Sequence, residues 1–377
     1  MNILYIADSS SWHNAKWTEY FAKRGHIIVL FSDYKSYYKK IEFNKKIKII
    51  ESTPFIETQN RHFNKLNSIV KYKYQIEKIL KEEKIEIIHC VALYYGFLST
   101  FLNTSIPIIY TTQGSEILIR SQSSFFYKYM ARRTFEHVSI ITNDSTTIQN
   151  AGFKLGARQE KNYIIQNGVD LNIFNINIDN LRKTKLNIKD DTFLIYSPRG
   201  FTPLYNIVDI IEALNLLKSE NIKFKCMFAF AFGEEYLNDY KSLISKYELE
   251  DFIIWNGYIE HSEMAKYYFA ADVTISVPSS DSSPKSVYES MACGTPVIVS
   301  NLPWTNENLL ENKHILKVSV NNPEMIKNSI LRLYNDSILK GKLSINGLNI
   351  VKEKFDYEIN MSNMEHIMIK EIKENKQ

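Results

Sequence analysis

Cysteine is scarce in this chain: Cys90, Cys226 and Cys293 are odd in number, scattered through apolar stretches, and without the spacing of a metal site. A disulfide framework is excluded, and buried thiols in a reducing compartment are expected. Long apolar runs are also missing. Nothing approaches the roughly 20 residues that cross a bilayer, and the opening MNILYIADSS lacks a basic segment followed by an apolar one. The expectation is a cytoplasmic protein. No Arg-rich segment or zinc-finger spacing accompanies the lysines, so nucleic acid is not an expected partner.

What is present is enough apolar sequence for two cores. The 377 residues are 45% hydrophobic, which suits two domains of about 190 residues each. The 24 tyrosines and 21 phenylalanines accompany abundant Lys, Ile and Asn, and read as compositional background instead of a ligand site. Charge is uneven. Residues 1–177 carry 23 Lys and Arg against 15 Asp and Glu, leaving 23 against 27 in the remainder. A basic half fits an anionic membrane surface, a phosphorylated substrate, or simply a lysine-rich solvated face. Arg132 and Arg133 read as part of such a solvated helix face.

Apolar, β-branched runs alternate with segments of helical period throughout. NILYIAD, HIIVLFS, EIIHCVA, PIIYTTQ and SIITND are strands of the first half, with helices such as WHNAKWTEYFAKRG and the segment 60–83 between them. TFLIYSPRG, KFKCMFAFAFG, FIIWNG, DVTISVP, PVIVS and HILKVSV repeat the rhythm in the second half. Two doubly wound, parallel α/β domains follow, with ligands expected beyond the carboxyl ends of the strands.

One such strand end is chemically specific. The strand 272–277 leads through a loop carrying Asp281 into SPKSVYESMACGTPVIVS, where Ser283 and Pro284 read as cap and first residue of a helix of about three turns, stopped by Gly294 and Pro296. The helix entrance at 283–287 favours a phosphate through its N–H groups and dipole. Glu289, nearly two turns in, is placed to accept hydrogen bonds from sugar hydroxyls. An acidic loop residue and a Glu on a helix face are also common solvated features, and that alternative stands beside the first.

The ordered series NGVDLNIF, SPRGFTPLYN, WNGYIEHSEMAKYYFAAD and ADVTISVPSSD with SPKSVYESMACGTPVIVSN resembles glycosyltransferase family 4, and SSWHNAKWTEYFAKRGH and TTQGSEIL match N-terminal features of a subset. The resemblance covers nearly the whole chain. It implies a GT-B fold, two Rossmann-like domains facing a central cleft, and retaining transfer without a metal or other cofactor. Residues 1–170, joined by the C-terminal helix 360–377, would bind the acceptor. Residues 171–359 would bind a nucleotide sugar, UDP-linked, with the boundary near 168–178. The acceptor would be a saccharide, a lipid-linked molecule or a protein in cell-surface glycan synthesis, with peripheral contact at the inner membrane face.

The same resemblance distributes roles. Asp281 and Glu289 occupy the two ends of the family's acidic signature, the first near the donor sugar and the second on the ribose. Ser283, Pro284, Ser286 and Val287 lie at the phosphate entrance, and Asn256, Gly257 and Tyr258 at the base. Arg199 supplies charge for the diphosphate, but its usual Lys partner aligns with Tyr205, and we expect Lys285 to replace it. His13, Lys16, Gln113 and Glu116 fall on the acceptor side, with Gln113 where a His is usual and SSSWHNAK where relatives carry glycines. Tyr205 and Gln113 leave two rival readings open: a GT-B shell acting as a binding or partner subunit, and a nucleotide-sugar epimerase.

Overall fold

The computed structural model describes residues 1–33, 43–54, 56, 64, 67–176, 186, 188–229 and 232–377. Residues 60–63, 65 and 66 of the expected first-half helix, 230 and 231 of one expected strand, and 177 and 178 at the expected boundary lie outside them. The chain divides into two compact units, Met1–Asn167 with Ile359–Gln377, and Gly168–Glu358.

Among the described residues, the first unit holds a seven-stranded parallel sheet: β1 (Asn2–Ile6), β2 (Ile27–Ser32), β3 (Ile47–Glu51), β4 (Ile87–Val91), β5 (Ile108–Thr111), β6 (Ile140–Asn143) and β7 (Asn162–Ile164), in the order β3-β2-β1-β4-β5-β6-β7. The second unit holds a six-stranded parallel sheet: β8 (Phe193–Ser197), β9 (Phe224–Ala229), β10 (Ile253–Gly257), β11 (Val273–Ser276), β12 (Val297–Ser300) and β13 (Leu316–Val318), in the order β10-β9-β8-β11-β12-β13. Central strands such as β4, β5, β8 and β11 are buried along their whole length. Helices cover both faces of a parallel sheet, so these strands are rich in apolar and β-branched residues, and the polar side chains of β11, Thr274 and Ser276, are buried with them although the stretch reads as alternating. In the second unit Leu194, Tyr196, Val297 and Val299 pack on one face, against the helix Lys285–Ala292, while Ile195, Ile275 and Ile298 pack on the other, against the helix Ile207–Lys218.

The last helix, Tyr357–Asn375, buries Met361, Met364, Met368 and Ile372 at helical spacing in the first unit. Its Glu365 accepts from Arg24 Nε at 2.7 Å and His26 Nε2 at 2.6 Å, and Lys161 Nζ bonds Glu371 at 2.6 Å and Glu374 at 2.8 Å. Apolar burial supplies most of the attachment, since ion pairs with one partner in water are individually weak.

Where the chain enters the second unit, Val169 N–H donates to the Phe355 carbonyl at 2.7 Å and Tyr357 N–H to the Val169 carbonyl at 3.0 Å. The close approach requires glycine. Gly168 has φ +66°, and a Cβ there would lie 2.6 Å from Tyr357 Cα and 2.8 Å from its nitrogen. Backbone cannot swing away as a side chain can. Gly168→Ala is therefore expected to destabilise the protein by about 2 kcal/mol or more, read as a lowered midpoint of thermal unfolding. An unchanged midpoint would refute the clash.

Candidate active site

Two loops at the carboxyl ends of adjacent strands β8 and β11 are stitched together. Asn206, left-handed at φ 51°, donates its side-chain amide to the Val277 carbonyl at 2.9 Å and to Ser279 Oγ at 2.9 Å, and Ser279 N–H returns a bond to the Leu204 carbonyl at 2.8 Å. This stitching brings Arg199, from the β8 loop, onto the β11 loop. Arg199 Nη2 donates to Asp281 Oδ2 at 2.8 Å and Nη1 to Ser286 Oγ at 3.0 Å, while its Cζ lies 4.3 Å from the centre of the Tyr205 ring. The pair is largely withdrawn from water, with side-chain exposures of 13% and 17%. Burial alone disfavours the guanidinium charge, yet Asp281 and Tyr205 outweigh it and raise its pKa.

Both Asp281 oxygens are engaged, because Oδ1 accepts from Ser282 N–H at 2.9 Å. Aspartate, one methylene shorter than glutamate, reaches its neighbours in the loop. Its geometry is that of a group orienting Arg199. Ser286 performs the same service from the helix entrance. Tyr205, standing where the family's Lys is expected, puts a π face on the guanidinium in place of a second cation.

The helix runs from Lys285 to Ala292, eight residues and so about two turns instead of three, and its cap is Pro284 (ψ 113°) with no side-chain cap bond, not Ser283. Gly294, at φ +73°, ends it as the sequence indicates. Val287 N–H bonds the Pro284 carbonyl at 3.1 Å and its side chain is core. A phosphate cradle is therefore narrowed to the amides that precede Val287. Ser283 and Pro284 are buried beside it.

Glu289 is 4% exposed. Its Oε1 accepts from His261 Nε2 at 2.9 Å and its Oε2 from the Tyr268 hydroxyl at 3.3 Å. Burial pushes the carboxyl upward, but the His261 hydrogen bond, His261 and Lys285 charge, and Tyr268 together hold it below its usual 4.5. Phe174, from NGVDLNIF, stands edge-on to His261 at 5.1 Å and to Tyr268 at 6.1 Å. At the end of β10, Gly257 is left-handed at φ +60°, Tyr258 is exposed, and Asn256 Nδ2 is buried with no hydrogen-bond partner. A buried amide donor without a partner is costly unless a ligand meets it.

The first unit treats its candidates differently. His13 is exposed and Lys16 partly exposed near the start of the helix Trp12–Lys23. Gln113 is partly buried, its carbonyl accepting from Ile117 N–H at 3.3 Å. Glu116 Oε2 accepts from Leu93 N–H at 2.7 Å, at the start of the helix Leu93–Ser99, so this carboxylate serves a helix N-terminus. The glycine-poor loop after β1 is closed by Asp8, whose Oδ1 takes Ser10 N–H at 2.9 Å and Ser10 Oγ at 2.6 Å.

Residues 178–349 match the model of the family described as glycosyl transferases group 1, and residues 2–145 match glycosyl transferase 4-like. The chain belongs to the group 1, GT4-like glycosyltransferases. The glycosyltransferase is 29% identical over 310 residues, 77% of this chain and 67% of the relative, to alpha-monoglucosyldiacylglycerol synthase of Streptococcus pneumoniae. It is 25% identical over 349 residues, 88% of this chain and 86% of the relative, to an uncharacterized glycosyltransferase of Methanocaldococcus jannaschii. Its fold is GT-B, matching sucrose-phosphate synthase from Thermosynechococcus elongatus (TM-score 0.84, 18% identity, 98% of each chain). It also matches Anabaena Alr3699/HepE in complex with UDP and glucose (TM-score 0.82, 15% identity, 98% of this chain and 100% of that one). Among the described residues no helix is long and apolar enough to cross a membrane.

Sequence reasoning missed His261, Tyr268 and Phe174 in this glycosyltransferase. His261 had a faint signal, a polar residue just beyond the strand FIIWNG. It also missed Asp33, just beyond β2, which accepts from the Tyr95 hydroxyl, and Glu51, the last residue of β3, which accepts from Ser9 Oγ at 2.9 Å. Strands ending in Asp, as in NILYIAD and HIIVLFSD, were the available clue.

Proposed function

We propose that the enzyme transfers a hexosyl group from a UDP-linked sugar to a lipid-linked or saccharide acceptor, with retention of anomeric configuration. The observation that carries this reading is the placement of Arg199 between Asp281 and Ser286 at a helix entrance, with Glu289 buried one turn further along. In that arrangement Arg199 and the helix N-terminus stabilise the departing diphosphate, where negative charge develops in the transition state. Glu289 accepts from the ribose hydroxyls, and Asn256 Nδ2 donates to a carbonyl of the base. A diphosphate oxygen on the acceptor's side takes the acceptor proton, so Gln113 need not titrate. The complexes of HepE with UDP and glucose support a uridine donor, and the pneumococcal diacylglycerol glucoside synthase supports a lipid acceptor. The first unit is the acceptor half in this reading and the second the donor half.

The test is to incubate the protein with UDP-, GDP- and ADP-sugars, each with lipid and saccharide acceptors, and separate the products. Free UDP with an α-linked product from an α-linked donor is the expected result. Tight binding without turnover would favour the binding-subunit reading, and an isomerised donor the epimerase.

Lys285 begins the helix at the proposed phosphate entrance, and its charge also acts on Glu289 one turn along. As the second cation for the diphosphate, it gives a further expectation. Lys285→Ala should lower turnover by roughly 10- to 100-fold, equivalent to about 1.4–2.7 kcal/mol of transition-state stabilisation. Unchanged turnover would leave Arg199 to act alone.

A further inference from the structure

We propose that His261 is a positioning residue which, with Tyr268, turns Glu289 so that the donor must present two adjacent hydroxyls, and so selects ribonucleoside diphosphate sugars over their deoxy counterparts. The inference rests on the reading of Glu289 as the ribose contact and names what sets its selectivity. A carboxylate only accepts, so His261 Nε2 carries the proton in its 2.9 Å contact with Oε1, and the Tyr268 hydroxyl donates to Oε2 at 3.3 Å. One protein donor thus stands on each oxygen. Each oxygen has two acceptor directions, and the described residues leave one on Oε1 and one on Oε2. A buried carboxylate gains most from a partner that meets both. Two hydroxyls on neighbouring carbons of a furanose ring, on the same side, do so together, whereas a deoxy sugar meets only one.

Packing holds both donors in place. Tyr268 is fully buried on the helix Met264–Ala270, its ring edge-on to Tyr196 at 5.2 Å and its carbonyl accepting from Thr295 Oγ1 at 2.6 Å. His261, in the turn before that helix, meets the edge of Phe174, a buried ring that also stands against Tyr268. One phenyl group therefore wedges the two donors. Glu289 is the part that can turn, since its carboxylate ends a flexible side chain. Lys285, one turn earlier on the same helix, attracts it. Without the His261 bond, Oε1 is free to swing toward that cation, and the two oxygens no longer face a diol together.

The experiment is calorimetry of the full chain with nucleotide alone, which needs neither the sugar nor the acceptor to be known. UDP should bind about 10-fold or more tightly than 2′-deoxy-UDP and 3′-deoxy-UDP, because each lost hydroxyl leaves one acceptor of a buried charge unmet. His261→Leu should weaken UDP about 10-fold and the deoxy nucleotides by less than about 3-fold, a coupling that a general loosening of the site, which weakens all three alike, does not produce. His261→Gln, whose amide reaches the Nε2 position, should restore most of the discrimination. In turnover, His261→Leu should raise KM for the nucleotide sugar about 10-fold with kcat within about 2-fold of wild type. Equal affinity of the wild type for UDP and both deoxy nucleotides would overturn the selection. Discrimination that survives His261→Leu would overturn the positioning role while the ribose contact stands. If UDP itself does not bind, the uridine reading fails, and the same comparison with ADP, GDP and their deoxy forms tests the selection; binding of none of them overturns both.

Discussion

Arg199→Ala is expected to reduce turnover by about 100- to 1000-fold, the largest catalytic loss of any substitution considered. Removing a single preorganised group aimed at developing negative charge costs about that much where water is excluded. Arg199 meets the conditions: it is largely buried, and two hydrogen bonds and a ring face fix its guanidinium plane. The preorganisation is electrostatic as well as steric, because Asp281 keeps the cation charged despite its burial. Arg199→Lys separates charge from geometry. Lysine restores a cation but not the planar fork that meets Asp281 and Ser286 together, so it should recover only part of the loss. Single-turnover rates with saturating donor would check both. A full rate in Arg199→Ala, with folding intact, would remove Arg199 from the chemistry. Alanine also leaves Asp281 without its partner in a poorly hydrated site, so a lower unfolding midpoint should accompany the kinetic loss.

Glu289→Gln should lower kcat/KM by about 100-fold, chiefly through a raised KM for the nucleotide sugar. Hydrogen bonds to a charged acceptor contribute about 1.5–3 kcal/mol each, and the amide both removes the charge and turns an NH2 toward the proton of His261 or Tyr268. Its volume is nearly that of glutamate, so cavity formation does not confuse the result. Donor titration by calorimetry would check it, and an unchanged KM would remove Glu289 from donor binding. The same substitution has a pH signature. A carboxyl held below its unfolded value stabilises the fold fully above about pH 4.5, and that contribution is lost as pH falls through the folded value. The stability difference between wild type and Glu289→Gln should therefore be constant near neutrality and shrink in acid. Urea unfolding at pH 7 and pH 4 would measure it.

The fold was legible because parallel α/β sheets leave strong local signals. Strands buried on both faces are mostly apolar and β-branched, and the helices between them are apolar on one side only, as in Ile69–Glu82, which buries Tyr72, Ile76 and Ile79. Glycine marked stops where a left-handed residue is needed, as at Gly294. Helix length and cap were less legible, because Ser283 and Pro284 satisfy the local rules for a start one residue earlier than the chain uses.

The candidate site divides along the same line. Sequence by itself indicated two doubly wound domains and the strand-end loops beyond them, and it placed Asp281 and Glu289 about a readable strand and helix, while Arg199 was named through the family resemblance. Only tertiary structure decided which of these meet. Arg199 and Asp281 are 82 residues apart and touch because β8 and β11 are neighbours in the sheet and Asn206 ties their loops. His261 and Glu289, 28 residues apart, meet through a loop that no local periodicity records. Glu116 shows the same dependence: the fold brings a helix end beside it, whose Leu93 N–H donates to Oε2, a contact no local pattern records. Hydrophobic period is a property of neighbouring residues and is written in the chain, whereas a hydrogen bond between loops depends on strand order and register, which non-local packing sets.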